Sequence, residues 1–210
     1  MILDDISLNL QVGKAKVVKE LVKQAIDEGY CAQEILDKGL LHGMNIVGDR
    51  FTRNEAFVPE VLVAARAMNK GTELIKPLLA AEGNQPIGKA CIGTVQGDLH
   101  DIGKNIVKLM LESQNIDVID LGVDVAPEKF AQTALEENCD LVCCSALLTT
   151  TMPVMEKVVV ALKEAGIREK VTVLVGGAPV TQEFCDQIGA DIYTTDGASA
   201  GKKAAEVLTA

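Results

Sequence analysis

The sequence has no tryptophan and few aromatics of any kind: two tyrosines and four phenylalanines, 3% of 210 residues. Platforms for stacking exposed bases therefore lack their material. Basic residues are also scarce, with 20 Lys and Arg against 30 Asp and Glu, a formal charge of −10, and they form no cluster. A phosphate backbone or an anionic lipid surface demands such a cluster, so neither nucleic acid nor membrane is expected as a main partner. No apolar run approaches the ~20 residues that span a bilayer. The opening Met1-Ile2-Leu3-Asp4-Asp5 has neither the basic start nor the apolar segment of a secretory signal. The expectation is a soluble, cytoplasmic protein. Six cysteines occur, at 31, 91, 139, 143, 144 and 185, with no Cys-x-x-Cys pair among them. They read as small buried thiols. The adjacent Cys143 and Cys144 would face opposite sides of a strand, which argues against joint metal ligation.

Apolar residues make up 48% and charged residues 24%, the balance of a folded chain with a packed core and one or two domains. Two grammars follow one another. In the first, apolar positions recur at helical spacing: Val17, Val18, Leu21, Val22, Ala25 and Ile26, then Ile35, Leu36, Leu40, Leu41, Met44 and Val47. A longer stretch covers 58–79, with Pro59 in its first turn, where a missing N–H costs nothing. Gly29-Tyr30 separates two antiparallel helices, and a short helix over 4–10 completes a four-helix bundle. After a linker-like composition, β-rich runs at 89–95, 117–121, 140–145, 171–175 and 191–195 alternate with helical patterns at 103–114, 127–138, 153–165, 180–188 and 198–208. Alternation of this kind predicts a parallel sheet covered on both faces, with flavodoxin-like strand order 2-1-3-4-5. The expected fold is α + α/β: a helical bundle over 1–82, a linker over 83–88 and a Rossmann-like domain over 89–210. Residues 1–85 hold 10 basic and 12 acidic side chains and residues 86–210 hold 10 and 18, so most of the negative charge belongs to the second half.

Open parallel sheets bind ligands beyond the carboxyl ends of their strands. The first predicted strand is followed by Gln96-Gly97-Asp98-Leu99-His100-Asp101-Ile102-Gly103-Lys104, which holds one of only two histidines. Asp98 lies two residues before His100, so in an extended loop the two side chains share a side. A carboxylate there would hold one imidazole N–H and make the other nitrogen the better donor. No second histidine or nearby thiolate completes a zinc site. A lone imidazole backed by a carboxylate suits a metal whose other positions are filled, as in a macrocycle. Taken alone, Asp-x-His is a weak signal, and a plain polar loop residue is the simpler reading. His42 reads as a surface residue of a helix.

Three features add to this loop. Asp98-x-His100-x-x-Gly103 is followed, after 41 intervening residues, by Ser145-Ala146-Leu147, and after 28 more by Gly176-Gly177. All fall at predicted strand ends. The set resembles the cobalamin-binding motif Asp-x-His-x-x-Gly…Ser-x-Leu…Gly-Gly. The segment 43–51 (Gly43-Met44-Asn45-Ile46-Val47-Gly48-Asp49-Arg50-Phe51), with Phe57-Val58-Pro59-Glu60-Val61, resembles the helical cap of cobalamin-dependent methionine synthase. The resemblance spans nearly the whole chain, whose length suits a stand-alone corrinoid protein of a methyltransferase system.

The resemblance implies roles residue by residue. His100 would be the lower axial ligand of cobalt, the cofactor's own dimethylbenzimidazole being displaced (base-off, His-on). Asp98 would bond the other nitrogen of His100, and Thr151 takes the place of the serine that completes a relay in methionine synthase. Gly97, Leu99, Asp101, Ile102 and Gly103 would line the cofactor beside them. Ser145, Leu147, Thr149, Gly176 and Gly177 would flank the nucleotide tail, with Asp196, Gly197 and Ala198 further along its pocket. Met44, Phe51 and Val58 match the cap over the upper face, Met44 reading as bundle core. The implied cofactor is cobalamin or a related corrinoid, cycling between Co(I) and methylcobalamin. The chain would carry a methyl group from methylamine, methanol, betaine or a methoxylated aromatic to tetrahydrofolate or coenzyme M. Its implied partners are a substrate-specific methyltransferase, a second methyltransferase and a reductive activator, and the chain would be no complete catalyst alone. A cobalamin-dependent sensor or regulator is the alternative, disfavoured by the absence of room for a DNA-binding domain. A mutase subunit is a third reading, and the Phe51–Val58 cap speaks against it.

Overall fold

Two amphipathic helices, α1 (Ile2–Gln11) and α2 (Ala15–Asp27), open the computed structural model, which describes residues 1–83 and 85–210. The third helical run begins as α3 (Ala32–Glu34), passes through a π-helical stretch (Ile35–Leu41) and continues as α4 (His42–Thr52). The sequence pattern gave no sign of the π turns. Their Gly39 packs against Ile6, a contact the absent Cβ allows. The fourth helix, α5, covers Val58–Ala81, with Pro59 in its first turn. The Phe57 amide donates to the Glu60 carboxylate at 2.8 Å, so α5 starts where one of its own residues satisfies the entering N–H. Ile6, Leu10, Val18, Val22, Leu40, Met44, Val61, Met68 and Ile75 meet in the core of this bundle.

The chain divides into two compact units, Met1–Gln85 and Pro86–Ala210. The linker expected over 83–88 includes Asn84, which lies outside the described residues.

The second unit is a five-stranded, all-parallel sheet in the order β2-β1-β3-β4-β5. Its strands are β1 (Gly88–Val95), β2 (Ile116–Val125), β3 (Leu141–Ser145), β4 (Thr172–Gly176) and β5 (Ile192–Tyr193). The crossovers are α6 (Ile102–Ser113), α7 (Pro127–Glu136), α8 (Pro153–Glu164) and α9 (Gln182–Ile188), and α10 (Gly197–Leu208) follows β5. Strand residues alternate between two cores. Ala90, Ile92, Leu141, Cys143 and Leu174 join Leu111 of α6 and Ala200 and Ala204 of α10 on one face. Cys91, Val142, Cys144, Val173 and Val175 join Phe130, Met155, Val158, Leu162 and Cys185 on the other. Cys143 and Cys144 therefore do face opposite sides. Burial pushes the Cys143 thiol up to about 12, and Cys144 is likewise raised. Helices on both faces explain why β1, β3 and β4 are apolar almost throughout.

Two strands differ from their predicted lengths. β5 is only two residues long, because the chain turns at once into the N-cap of α10. There the Asp196 carboxylate accepts from the Ser199 amide at 2.9 Å. β2 runs four residues beyond its predicted end, through Gly122 (φ +85°) and Asp124 (φ +55°). Its register against β1 slips twice, between Ile92 and Gly93 and again between Gly93 and Val95. Residues with positive φ break the alternation on which a strand prediction rests.

Candidate functional site

Thr94, Ser145 and Gly176 sit side by side in register, so β1, β3 and β4 end at one level. The loop leaving β1 turns at Gly97, whose φ of +85° favours glycine, and the Asp98 amide donates back to the Val95 carbonyl at 3.1 Å. The turn drives the Asp98 side chain inward, where it is 0% exposed.

Five donors surround that carboxylate. Oδ1 accepts from His100 Nδ1 at 2.7 Å and from the His100 amide at 3.1 Å. Oδ2 accepts from the amides of Leu147 and Leu148, at 2.8 and 3.2 Å, and from the Thr151 hydroxyl at 2.8 Å. Burial by itself would raise the carboxyl's pKa. The bonds from the His100 ring and amide, the Leu147 amide and the Thr151 hydroxyl overcome that and hold it well below the usual carboxylate range. Asp98 is thus an anion in the fold, and an anion only accepts. In a neutral His100 ring the proton must then lie on Nδ1, which leaves the lone pair on Nε2. The His100 carbonyl is fixed in turn by the Thr94 hydroxyl at 2.9 Å. The His100 side chain is 52% exposed, and Nε2 has no hydrogen bond among the described residues.

Around this imidazole the surface is apolar where a loop would normally be polar. Leu99 is 71% and Ile102 70% exposed, and Leu147 and Leu148 are also exposed. Gly103 and Gly176 have open space where a side chain would stand. Gly177, at φ +137°, lies so close to the Ala146 carbonyl that a Cβ would run into it. Among the described residues, no three His, Cys, Asp or Glu side chains converge on one point. One oriented imidazole, an apolar rim and glycine-lined space fit a flat, largely apolar group whose metal needs one protein donor. They do not fit a metal held by protein alone.

The structure brings Gly97, Asp98, Leu99, His100, Asp101, Ile102, Gly103, Ser145, Leu147, Thr149, Gly176 and Gly177 to the carboxyl edge of the sheet, with Thr151 behind Asp98. Asp196 lies at the same edge, as the N-cap of α10. Gly197 and Ala198 are buried, Gly197 against Ile106 of α6. In the helical unit, Met44 is packed into the bundle core, Phe51 and Val58 are half-buried, and Phe57 and His42 are exposed. Sequence reasoning missed Asp124 and the Lys104–Asp120 ion pair (2.7 Å), both of which grip the loop from β2 and α6. A Gly-x-Asp run past the end of a strand was the available signal.

A parallel sheet that offers one carboxylate-held imidazole at its carboxyl edge defines a protein built to carry a bound group. Comparison with known sequences identifies the group. Residues 88–203 match the B12 binding domain family, and residues 2–76 match a second B12 binding domain family. The chain belongs to the B12-binding corrinoid proteins. It is 47% identical to dimethylamine corrinoid protein 1 of Methanosarcina acetivorans, over 83% of each chain. It is 42% identical to the trimethylamine corrinoid protein of Methanosarcina barkeri, over 93% of this chain and 89% of that one. The methanol:cobalamin methyltransferase complex MtaBC of Methanosarcina barkeri contains a similar chain. That match has a TM-score of 0.86 and 31% identity, over 99% of this chain and 80% of that one. No helix among the described residues is long and apolar enough to cross a membrane.

Proposed function

We propose that this corrinoid protein carries methyl groups derived from a methylamine, with His100 as the lower axial donor to cobalt in the base-off, His-on form. The Asp98–His100 pair carries the reading: a buried anion holds Nδ1–H and leaves Nε2 as a free donor on an exposed side chain. When bound, the corrinoid supplies the cobalt centre that takes up and gives off the methyl group. The protein's part is to orient, neutralise and exclude. Asp98 fixes the tautomer, and Thr151 with the Leu147 and Leu148 amides keeps Asp98 ionised. Leu99, Ile102, Leu147 and Leu148 would rest against the corrin, and Ser145, Thr149, Gly176, Gly177 and Asp196 would flank its nucleotide tail.

A methylamine as the methyl source is supported by the names of the relatives, which are 42–47% identical to this chain over the aligned residues. The reading gives the chain three partners: a methylamine-specific methyltransferase, a second methyltransferase that delivers the methyl group to coenzyme M or tetrahydrofolate, and a reductive activator. Reconstitution with hydroxocobalamin should give a red 1:1 complex. Its Co(II) paramagnetic resonance spectrum should show hyperfine splitting from a protein imidazole nitrogen, and His100→Ala should lose that splitting while the chain stays folded. Splitting from the cofactor's own base in the wild-type complex would overturn the ligand assignment.

A further inference from the structure

The end of β2 departs from regular parallel pairing with β1. Between the pairs Ile92–Asp120 and Val95–Val125, three steps along β1 match five along β2, so β2 carries two extra residues. Gly122 and Asp124 both take positive φ there. An aspartate tolerates that backbone better than most residues but not freely, so something holds it. Bulges of this kind re-aim side chains beside functional sites.

Asp120, where the slip begins, and Asp124, within it, reach the two ends of the histidine segment. Asp124 clamps the loop's entry in two directions. Its Oδ1 accepts from the Gly97 amide at 2.7 Å, and its own amide donates to the Asp98 carbonyl at 3.0 Å. Asp120 Oδ1 accepts from the Gly122 amide at 2.9 Å and from the buried Lys104 ammonium at 2.7 Å, just beyond the loop's exit. The loop's entry at Gly97 and the first turn of α6 at Lys104 are thus both anchored to one bulged strand, and His100 lies between the anchors.

We infer that Asp124 is the positioning residue for the axial imidazole: by closing the Gly97 turn it fixes the direction in which Asp98 enters the core, and through Asp98 the tautomer and pose of His100. This rests on the reading of His100 as the cobalt donor, but its first test does not use the cofactor. In the apo protein, a scalar coupling across the hydrogen bond between the Gly97 amide and the Asp124 carboxyl carbon should be measurable in the wild type. Asp124→Gly keeps the permissive backbone and removes the acceptor. It should lower hydrogen-exchange protection of the Gly97 amide about tenfold, the scale of one hydrogen bond to a charged group. It should also turn the single Nδ1–H tautomer of His100, read from ring 15N shifts, into a mixture. Asp124→Asn keeps an acceptor oxygen and should restore both readouts. In the cobalamin-loaded protein, Asp124→Gly should lower the fraction of Co(II) showing protein-nitrogen splitting. A missing coupling in the wild type, or an unchanged tautomer and unchanged Gly97 protection in Asp124→Gly, overturns the inference. Absence of protein-nitrogen splitting in the wild type overturns the ligand reading instead and leaves the apo result standing.

Discussion

Asp98 is a charged group placed where charge is costly, and its five donors are the reason it survives there. The sign of its effect on stability follows. Its folded-state pKa lies below the ordinary carboxylate value of about 3.9. The unfolded chain therefore binds the proton first as pH falls. The stabilisation is fully present above that value and is lost as pH drops through it toward the folded pKa. Asp98→Asn cannot accept at both oxygens and sets an amide NH2 against one group of donors, costing on the order of 2–3 kcal/mol at pH 7. Urea unfolding between pH 7 and pH 3 should show a steeper fall for the wild type than for Asp98→Asn. Parallel curves would mean that Asp98 is not the anion described. At this scale the sequence was informative: Asp98 and His100 are two residues apart, and a pairing so local needs only an extended loop. Thr151, 53 residues away, is reached through the family resemblance and not through spacing.

The elements are held together by small residues as much as by large ones. α10 lies against α6 at Gly197 and Gly201, one helical turn apart. A Cβ at Gly201 would stand 2.8 Å from the Met110 carbonyl oxygen, and one at Gly197 would stand 2.8 Å from the Ile106 side chain. A backbone oxygen cannot swing aside as a flexible side chain can. Gly201→Ala should therefore push α10 off α6 and cost about 1–3 kcal/mol, despite the better helix propensity of alanine. Lys203→Ala, on an exposed position of the same helix, should stay within about 0.5 kcal/mol of wild type. Thermal unfolding of the two variants side by side checks this, and equal midpoints would rule out the close approach. The period of the apolar positions located nearly every helix and strand. It passed over the π turns at Ile35–Leu41 and the bulges in β2. Both are local departures from regular geometry that need neighbouring elements to hold them, and neither leaves a repeating mark in the chain.

Each of the two units has its own core, and the alternating strand residues of the second are satisfied wholly by its own helices. A fragment covering 86–210 should therefore unfold in one cooperative transition and keep His100 in the Nδ1–H tautomer. A fragment that binds hydrophobic dyes and unfolds without a clear transition would show that the second unit depends on the first. The uneven charge belongs at this scale too: the second unit carries 10 basic and 18 acidic residues. Most of the chain's net negative charge therefore lies on the second unit.

The sequence by itself determined the helical first part, the parallel strand order, and the position of one aspartate–histidine pair at a strand end. Periodicity and two-residue spacing are properties of a chain segment, legible without knowing what lies beside it. Only the tertiary structure decided which amides help to keep Asp98 ionised, and which carboxylate accepts from the Gly97 amide at the turn before it. Those partners come from the start of the β3–α8 connection and from a slipped register between β1 and β2. Register between parallel strands is set by packing across the whole sheet, so no local stretch of sequence records it.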